Sequence, residues 1–225
     1  MDQAPDSRPR PARPTPAELR AAAGTALPDL VSPGLNILFA GINPSLYSAA
    51  TGHHFARPGN RFWPALHLSG FTKRRLDPCE QRELLGLGIG ITNIAARSTA
   101  RADELTSAEL MQGRQVLAAK VLSLRPLWLG VVGVTAYRTA FGEPRAQVGL
   151  QDTSVGETRV WVLPNPSGLN AHWNLTSLAE EFGRLRNAIF SDMPDRSRLP
   201  VVTGQESLAG ACAGWSVRFR GHRCV

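Results

Sequence analysis

Two short segments of small and polar residues contain the side chains of this chain best suited to chemistry. Gly41-Ile42-Asn43-Pro44-Ser45 follows one apolar run, and a second Asn-Pro segment at 165–170 follows another. An Asn amide oxygen accepts a hydrogen bond from a water or a ligand, and its NH₂ group donates. Because α/β proteins bind ligands where buried strands end, the two segments indicate a binding site. The same residue types also close ordinary turns, so either segment alone is also consistent with a structural role.

The charge around both segments favours an anionic partner. No Asp or Glu occurs between Asp29 and Asp77 or between Glu157 and Glu180, whereas these stretches contain six cationic residues: Arg57, Arg61, Lys73, Arg74, Arg75 and Arg159. The whole chain has a formal net charge of +7 and a pI near 10.3. Part of that charge lies in residues 194–225, which hold five Arg against two acids. The balance favours nucleic acid or another polyanion as partner.

Composition limits the class of protein. With 225 residues, 43% of them hydrophobic, the chain is long enough for one α/β domain with a full core. Its three cysteines are scattered and form no CxxC pair, so neither a zinc ribbon nor an iron–sulfur cluster is indicated, and no metal or cofactor is expected. The Pro- and Arg-rich start lacks the apolar region of a signal peptide, and no stretch has transmembrane length. These features predict a cytoplasmic protein with free thiols, associated with the nucleoid if the source is bacterial.

Alternating apolar runs and helical periodicities predict the elements that position the two segments. Strands are predicted at 36–40, 88–94, 126–133 and 159–163, and helices at 60–68, 79–85, 107–123, 134–141 and 175–190. A short helix is predicted to begin at Pro16 with Thr15 as its N-cap. The order predicts a three-layer α/β/α sandwich around a mostly parallel sheet of four or five strands. The predicted organisation is a flexible Pro/Arg-rich arm at 1–24, one domain at 25–193 and a basic tail at 194–225.

Five ordered motifs resemble those of the mismatch-specific uracil/thymine DNA glycosylases, within the uracil-DNA glycosylase superfamily. They are the segments at 41–44 (GINP), 52–55 (GHHF), 58–63 (PGNRFW), 90–93 (GITN) and 162–169 (VLPNPSGL). The resemblance covers about residues 33–190. It implies a monofunctional enzyme, active as a monomer without a cofactor, that flips a uracil or related pyrimidine out of duplex DNA, especially opposite guanine. Hydrolysis of the N-glycosidic bond would then leave an abasic site.

By this resemblance, Asn43 is the residue that positions the attacking water. Its amide oxygen can orient a water, although a neutral amide is not an effective general base. Pro44 favours an extended backbone at Asn43, which would hold the amide at the end of the strand. The alternative is an Asn that closes a turn through its own backbone.

The base pocket implied by the resemblance contains Gly41, Ile42, Ser48, Phe55 and Asn93. Phe55 would stack on the flipped pyrimidine, Asn93 would contact its polar edge, and Ser48 would leave room for a substituted base. The alternatives are an ordinary core Phe, an Asn that caps the next segment, and a surface Ser.

The second segment resembles the loop that enters the minor groove, and it comprises Asn165, Pro166, Ser167, Gly168, Leu169 and Asn170. Leu169 would be the intercalating wedge, and Gly168 would allow the backbone to approach DNA. The alternative is a Leu that folds back onto its own domain. Several relatives have an Arg soon after the wedge, whereas this chain continues with Ala171 and His172, of which His172 would be a partial substitute.

Three further residues are candidate phosphate contacts: His54, Arg57 and Arg61. A histidine pair such as His53-His54 on a loop is expected to face solvent or phosphate rather than to act in catalysis. For Arg61, which is next to Phe62 and Trp63, the alternative is an ion pair with a carboxylate in the core.

Two other function classes remain open from the residues. A Rossmann-like nucleotide- or phosphate-binding protein would carry GxGxxG or GxxxxGK[ST] and a ribose-binding acid about 20 residues later, and this chain has neither signature. A non-catalytic DNA-binding module would bind DNA without releasing a base.

Overall fold

Four apolar runs form the parallel part of a five-stranded sheet. They are β1 (Ile37–Gly41), β2 (Ile89–Asn93), β3 (Trp128–Val132) and β5 (Thr158–Leu163), and β1 and β3 are buried along their whole length. The fifth strand, β4 (Gly149–Val155), pairs antiparallel with β5 at the edge. The strand order is β2-β1-β3-β5-β4. The computed structural model describes residues 13–192, so the predicted tail and residues 1–12 of the predicted arm lie outside the described residues.

Between residues 13 and 192 the chain forms six α-helices: α1 (Pro16–Ala21), α2 (Leu46–Thr51), α3 (Phe62–Leu68), α4 (Ser107–Leu124), α5 (Val134–Phe141) and α6 (Leu175–Asp192). Two 3₁₀ helices lie at Pro78–Leu87 and Ala102–Glu104. None of the helices between residues 13 and 192 combines the length and apolarity that a membrane crossing needs.

The two faces of the sheet carry separate cores, as alternation along a strand requires. Ile37 and Phe39 of β1 pack with α3 and α6, and Leu38 and Ala40 pack with α4 and α5. Helices therefore cover both faces of a mostly parallel sheet, and the predicted α/β/α sandwich is confirmed.

Part of the predicted flexible arm is packed in the structure. Thr15 caps α1 through a capping box with Glu18, as the sequence predicted for the cap. Ala22 is buried, and its carbonyl accepts a hydrogen bond from the Ser98 hydroxyl. The Gly24 N–H donates to the Ser98 carbonyl oxygen at 3.1 Å. Residues 13–24 thus contact the segment that follows β2.

Candidate active site

A cavity of about 580 Å³ lies at the carboxyl ends of β1, β2, β3 and β5, and its volume is typical of a small-molecule site. Parallel strands end at the same edge, so segments far apart in sequence meet there. Twelve of the predicted site residues line the cavity: Ile42, Asn43, Ser48, His54, Phe55, Arg57, Asn93, Asn165, Pro166, Ser167, Leu169 and Asn170.

The side-chain amide of Asn43 is held in one orientation. Its Nδ2 donates to the carbonyl oxygen of Arg97 at 2.8 Å and to Oγ1 of Thr99 at 2.7 Å. The Arg97 carbonyl can only accept, so the nitrogen of the amide must face it and Oδ1 must point the other way. No donor from residues 13–192 contacts Oδ1. The oxygen is therefore available to a water or ligand in the cavity.

Thr99 is a part of this arrangement that the sequence analysis missed. Its hydroxyl donates to the Arg101 carbonyl oxygen at 2.6 Å, which leaves the hydroxyl oxygen to accept from Asn43. The Thr99 N–H donates to the Pro44 carbonyl oxygen at 3.2 Å, so the backbone after β2 is tied to the backbone after β1. The only signal in the sequence is the hydroxyl pair Ser98-Thr99 shortly after a strand end.

Phe55 has a backbone conformation that residues other than Gly rarely adopt. Its φ of 53° lies in the left-handed region, which costs about 1–3 kcal/mol for such a residue. Its ring stacks on Phe62, with ring centroids 4.0 Å apart and planes 14° apart. Phe55 therefore combines the two predicted alternatives, because it packs against the core cluster and also lines the cavity.

Ser48 fixes the backbone next to Phe55. Its hydroxyl accepts from the Ala56 N–H at 3.1 Å and lies 3.0 Å from Oγ of Ser45. Ser48 is buried, which does not fit the alternative of a surface Ser. The left-handed backbone of Phe55 is thus held by the hydrogen bond between Ser48 and Ala56, the residue that follows Phe55.

The ends of β1 and β2 approach closely at the floor of the cavity. A Cβ on Gly41 would lie 2.7 Å from Oδ1 of Asn93 and 3.2 Å from Cζ of Phe55, so the Asn93 amide occupies its present position because residue 41 is Gly. Asn93 is the last residue of β2, and its amide makes no side-chain hydrogen bond with residues 13–192. Its donors and acceptor are free for a ligand.

His54 does not fit the predicted phosphate contact, because it is 2% exposed. Its Nε2 lies 3.0 Å from the Pro28 carbonyl oxygen, and its own carbonyl oxygen accepts from Nε1 of Trp63 at 3.1 Å. Burial lowers the pKa of its imidazole, which keeps the ring neutral. His54 joins the segment before β1 to helix α3.

Arg57 and Arg61 differ in what they can contact. Arg57 is exposed and lines the cavity, so its guanidinium is accessible to a phosphate. The Arg61 guanidinium donates to main-chain carbonyl oxygens between residues 166 and 173. That arrangement fits neither the predicted phosphate contact nor the alternative of a core carboxylate.

The segment at 165–170 is a braced loop, hereafter the wedge loop. The Ser167 N–H donates to Oδ1 of Asn165 at 3.0 Å, and Nδ2 of Asn170 donates to the Asn165 carbonyl oxygen at 2.9 Å. Leu169 is 77% exposed, so it does not fold back onto the domain. Gly168 packs against the neighbouring loop, where an added Cβ would lie 2.8 Å from the carbonyl oxygen of Gly59.

The cavity lining contains one carboxylate among the described residues, and that carboxylate is paired. Asp103 accepts from Nε of Arg101 at 3.0 Å, and this hydrogen bonding holds the pKa of Asp103 below its usual value. Between residues 13 and 192 no cluster of His, Cys, Asp and Glu is arranged to hold a metal ion. The groups that face the cavity beside β1 and β2 are neutral amides and hydroxyls.

Comparison with known proteins places this geometry among related folds. Residues 28–189 match the family model described as the uracil DNA glycosylase superfamily. The chain is also similar to the solution NMR structure of a candidate uracil DNA glycosylase from Methanosarcina acetivorans. The two are 17% identical with a TM-score of 0.50, and the match covers 72% of this chain and 98% of that one. At this identity the structural match shows a shared fold.

Proposed function

This chain belongs to the uracil DNA glycosylase superfamily, and we propose that it is a monofunctional, mismatch-specific uracil/thymine-type glycosylase. In this proposal it flips a uracil or a related mismatched or damaged pyrimidine, especially one opposite guanine, out of duplex DNA. It then hydrolyses the N-glycosidic bond and leaves an abasic site. We expect a monomer that acts on DNA in the cytoplasm, at the nucleoid in a bacterium.

The orientation of the Asn43 amide is the observation that supports the proposal most directly. Nδ2 is held by Arg97 and Thr99, so Oδ1 can accept a hydrogen bond from a water. The water is then oriented with a lone pair of its oxygen directed at the sugar C1′. An amide takes no proton, so the reaction depends on departure of the base. Positive charge develops on the sugar and negative charge on the pyrimidine, where fixed dipoles stabilise it.

The remaining groups fit a flipped pyrimidine. Phe55 offers a ring whose packing on Phe62 keeps it fixed, and Asn93 offers an unused amide for the polar edge of the base. A base inside the duplex leaves C1′ inaccessible to water, so extrusion must precede hydrolysis. The exposed Leu169 would fill the space that the base leaves in the stack.

The test is single-turnover base release from matched duplexes that contain G·U, G·T, A·U or no lesion. We expect release from G·U by the wild-type protein and its loss in Asn43→Ala. Asn187→Ala is the matched control, because Asn187 is exposed on α6, away from the cavity. The A·U and G·T duplexes report on mismatch specificity and on thymine. If folded protein binds these duplexes but releases no base from any of them, the proposal is wrong and a DNA-binding module is favoured.

A further inference from the structure

Arg61 is the N-cap residue of helix α3, and its side chain reaches across to the wedge loop, more than 100 positions later in the chain. It makes side-chain hydrogen bonds to four main-chain carbonyl oxygens, those of Pro166, Ser167, Asn170 and Trp173. The backbone N–H of Arg61 also donates to the Pro166 carbonyl oxygen, at 2.9 Å. We propose that Arg61 is a positioning residue that sets the wedge loop in its DNA-entering conformation before DNA binds. This inference rests on the proposed function.

The donor count excludes a bidentate phosphate contact by the same side chain. A guanidinium has five N–H donors in a planar fork. Nε uses one, Nη1 uses one and Nη2 uses two on the loop, so one donor remains. The acceptors are neutral carbonyls, and no carboxylate among the described residues is hydrogen-bonded to this guanidinium. Arg61 therefore acts through the geometry of its fork.

The four carbonyls lie along the segment that joins strand β5 to helix α6. Pro166 is near its start and Trp173, beyond the wedge loop, is near its end, so Arg61 holds both sides of the loop. The other two acceptors flank Leu169, which remains 77% exposed. A loop that is ordered before binding loses less conformational entropy when it enters DNA.

Lysine cannot replace this arrangement. Its ammonium has three donors at one point, whereas the acceptors on the loop are spread around a planar fork. Arg61→Lys keeps the charge and removes the geometry. Arg57 is the matched control, since it is an exposed arginine on the adjoining loop, where it can contact phosphate.

The experiment compares wild type, Arg61→Lys, Arg61→Ala and Arg57→Ala by amide hydrogen exchange and by the salt dependence of binding to a G·U duplex. For both Arg61 variants we expect exchange at Leu169 and Asn170, whose N–H groups bond within the loop, to be at least ~10-fold faster. The slope of log K against log salt should stay unchanged. Arg57→Ala should lower the magnitude of that slope by ~1 and leave loop exchange unchanged.

Single-turnover base release completes the test. We expect Arg61→Lys to slow release from G·U by ~10-fold or more, with cooperative unfolding retained. Wild-type exchange and wild-type release in Arg61→Lys would overturn the inference, and so would a salt slope that falls by one in Arg61→Ala. Absence of release by the wild-type protein would instead refute the proposed function, and the exchange comparison would still decide the role of Arg61.

Discussion

The Thr99 hydroxyl is one of two acceptors that orient the Asn43 amide at the edge of the cavity. It accepts from Nδ2 of Asn43 and donates to the Arg101 carbonyl oxygen, so its loss leaves the Asn43 amide held by the Arg97 carbonyl oxygen alone. A neutral hydrogen bond of this kind contributes about 0.5–1.5 kcal/mol. We expect Thr99→Val to lower the single-turnover rate of base release by ~2- to 10-fold with little change in DNA affinity. Thr135→Val, on the exposed side of α5, is the control, and equal rates for both variants would contradict this role.

Phe55 allows a test of backbone strain separate from the loss of its ring. Both Phe55→Gly and Phe55→Ala remove the stack on Phe62, but only Gly adopts a φ of 53° without steric cost. We expect the free energy of unfolding of Phe55→Gly, measured by chemical denaturation, to be ~1 kcal/mol larger than that of Phe55→Ala. Both variants should lose base release.

The control pair for this prediction lies on helix α6. Phe190 is exposed there, so Phe190→Ala should be more stable than Phe190→Gly by ~1 kcal/mol, the reverse order. If the Ala variant were more stable than the Gly variant at both positions, the backbone conformation of Phe55 would carry no strain.

The close approach of strands β1 and β2 makes their ends sensitive to one methyl group. A Cβ on Gly41 would lie 2.7 Å from Oδ1 of Asn93 and 3.2 Å from Cζ of Phe55, so the Asn93 amide would have to turn away from its present position. We expect Gly41→Ala to reduce base release by ~10-fold or more through displacement of the Asn93 amide. Gly183→Ala in α6 is the control, because nothing lies within 4 Å of its added Cβ. Wild-type release by Gly41→Ala would show that the floor of the cavity can relax.

The elements differ in how well the sequence predicts them, and burial explains the difference. The helix predicted at 134–141 is α5, and the predicted strands at 36–40 and 159–163 are within a residue of β1 and β5, because each has a clear apolar pattern. Strand β4 was missed, since it is an edge strand without a buried residue, in which Leu150 is exposed and the half-buried positions include Gln151 and Thr153, and its pairing with β5 is irregular. Helix α2 was missed because its six residues are too few for a period to emerge.

The site was predictable as a set of residues but not as a set of contacts. Asn43, Phe55 and Asn93 follow from motif positions, and the parallel sheet brings them to one cavity. The contacts of Arg61 were not predictable, because its acceptors are backbone carbonyls on a loop distant in sequence, and any residue types present the same carbonyls. The burial of His54 likewise depends on Pro28, whose position no local pattern reveals.

For the molecule as a whole, buried His54 predicts a loss of stability in acid. Burial holds its pKa below the unfolded value of 6.5, so the unfolded chain binds more protons as the pH falls below about 7. Nearby Asp29 raises this pKa, and His53 and Lys120 lower it, but desolvation dominates. The free energy of unfolding should therefore decrease from pH 7 down to the folded pKa and level off below it with respect to this group.

Denaturant titrations at several pH values measure this effect. His54→Gln can still donate to the Pro28 carbonyl but cannot titrate, so we expect a smaller decrease between pH 7 and pH 5 than in wild type. Some decrease should remain, because burial lowers the pKa of His53 as well. Asn187→Gln, an exposed substitution that removes no titratable group, is the control and should keep the wild-type profile. An unchanged profile in His54→Gln would show that His54 does not contribute to the pH dependence of the free energy of unfolding.

The net charge of +7 predicts a second property of the whole chain, non-specific affinity for DNA that depends on salt. Five of the arginines lie in residues 194–225, outside the described residues and beyond the family match at 28–189. We expect deletion of 194–225 to weaken binding to lesion-free duplex at low salt and to lower the slope of log K against log salt. Base release from saturated G·U duplex should stay unchanged, because the cavity is built from residues 27–170. Equal low-salt affinities of the two proteins would contradict this role of the tail and would favour charge on the folded domain, where Arg57 is one of the exposed cationic residues.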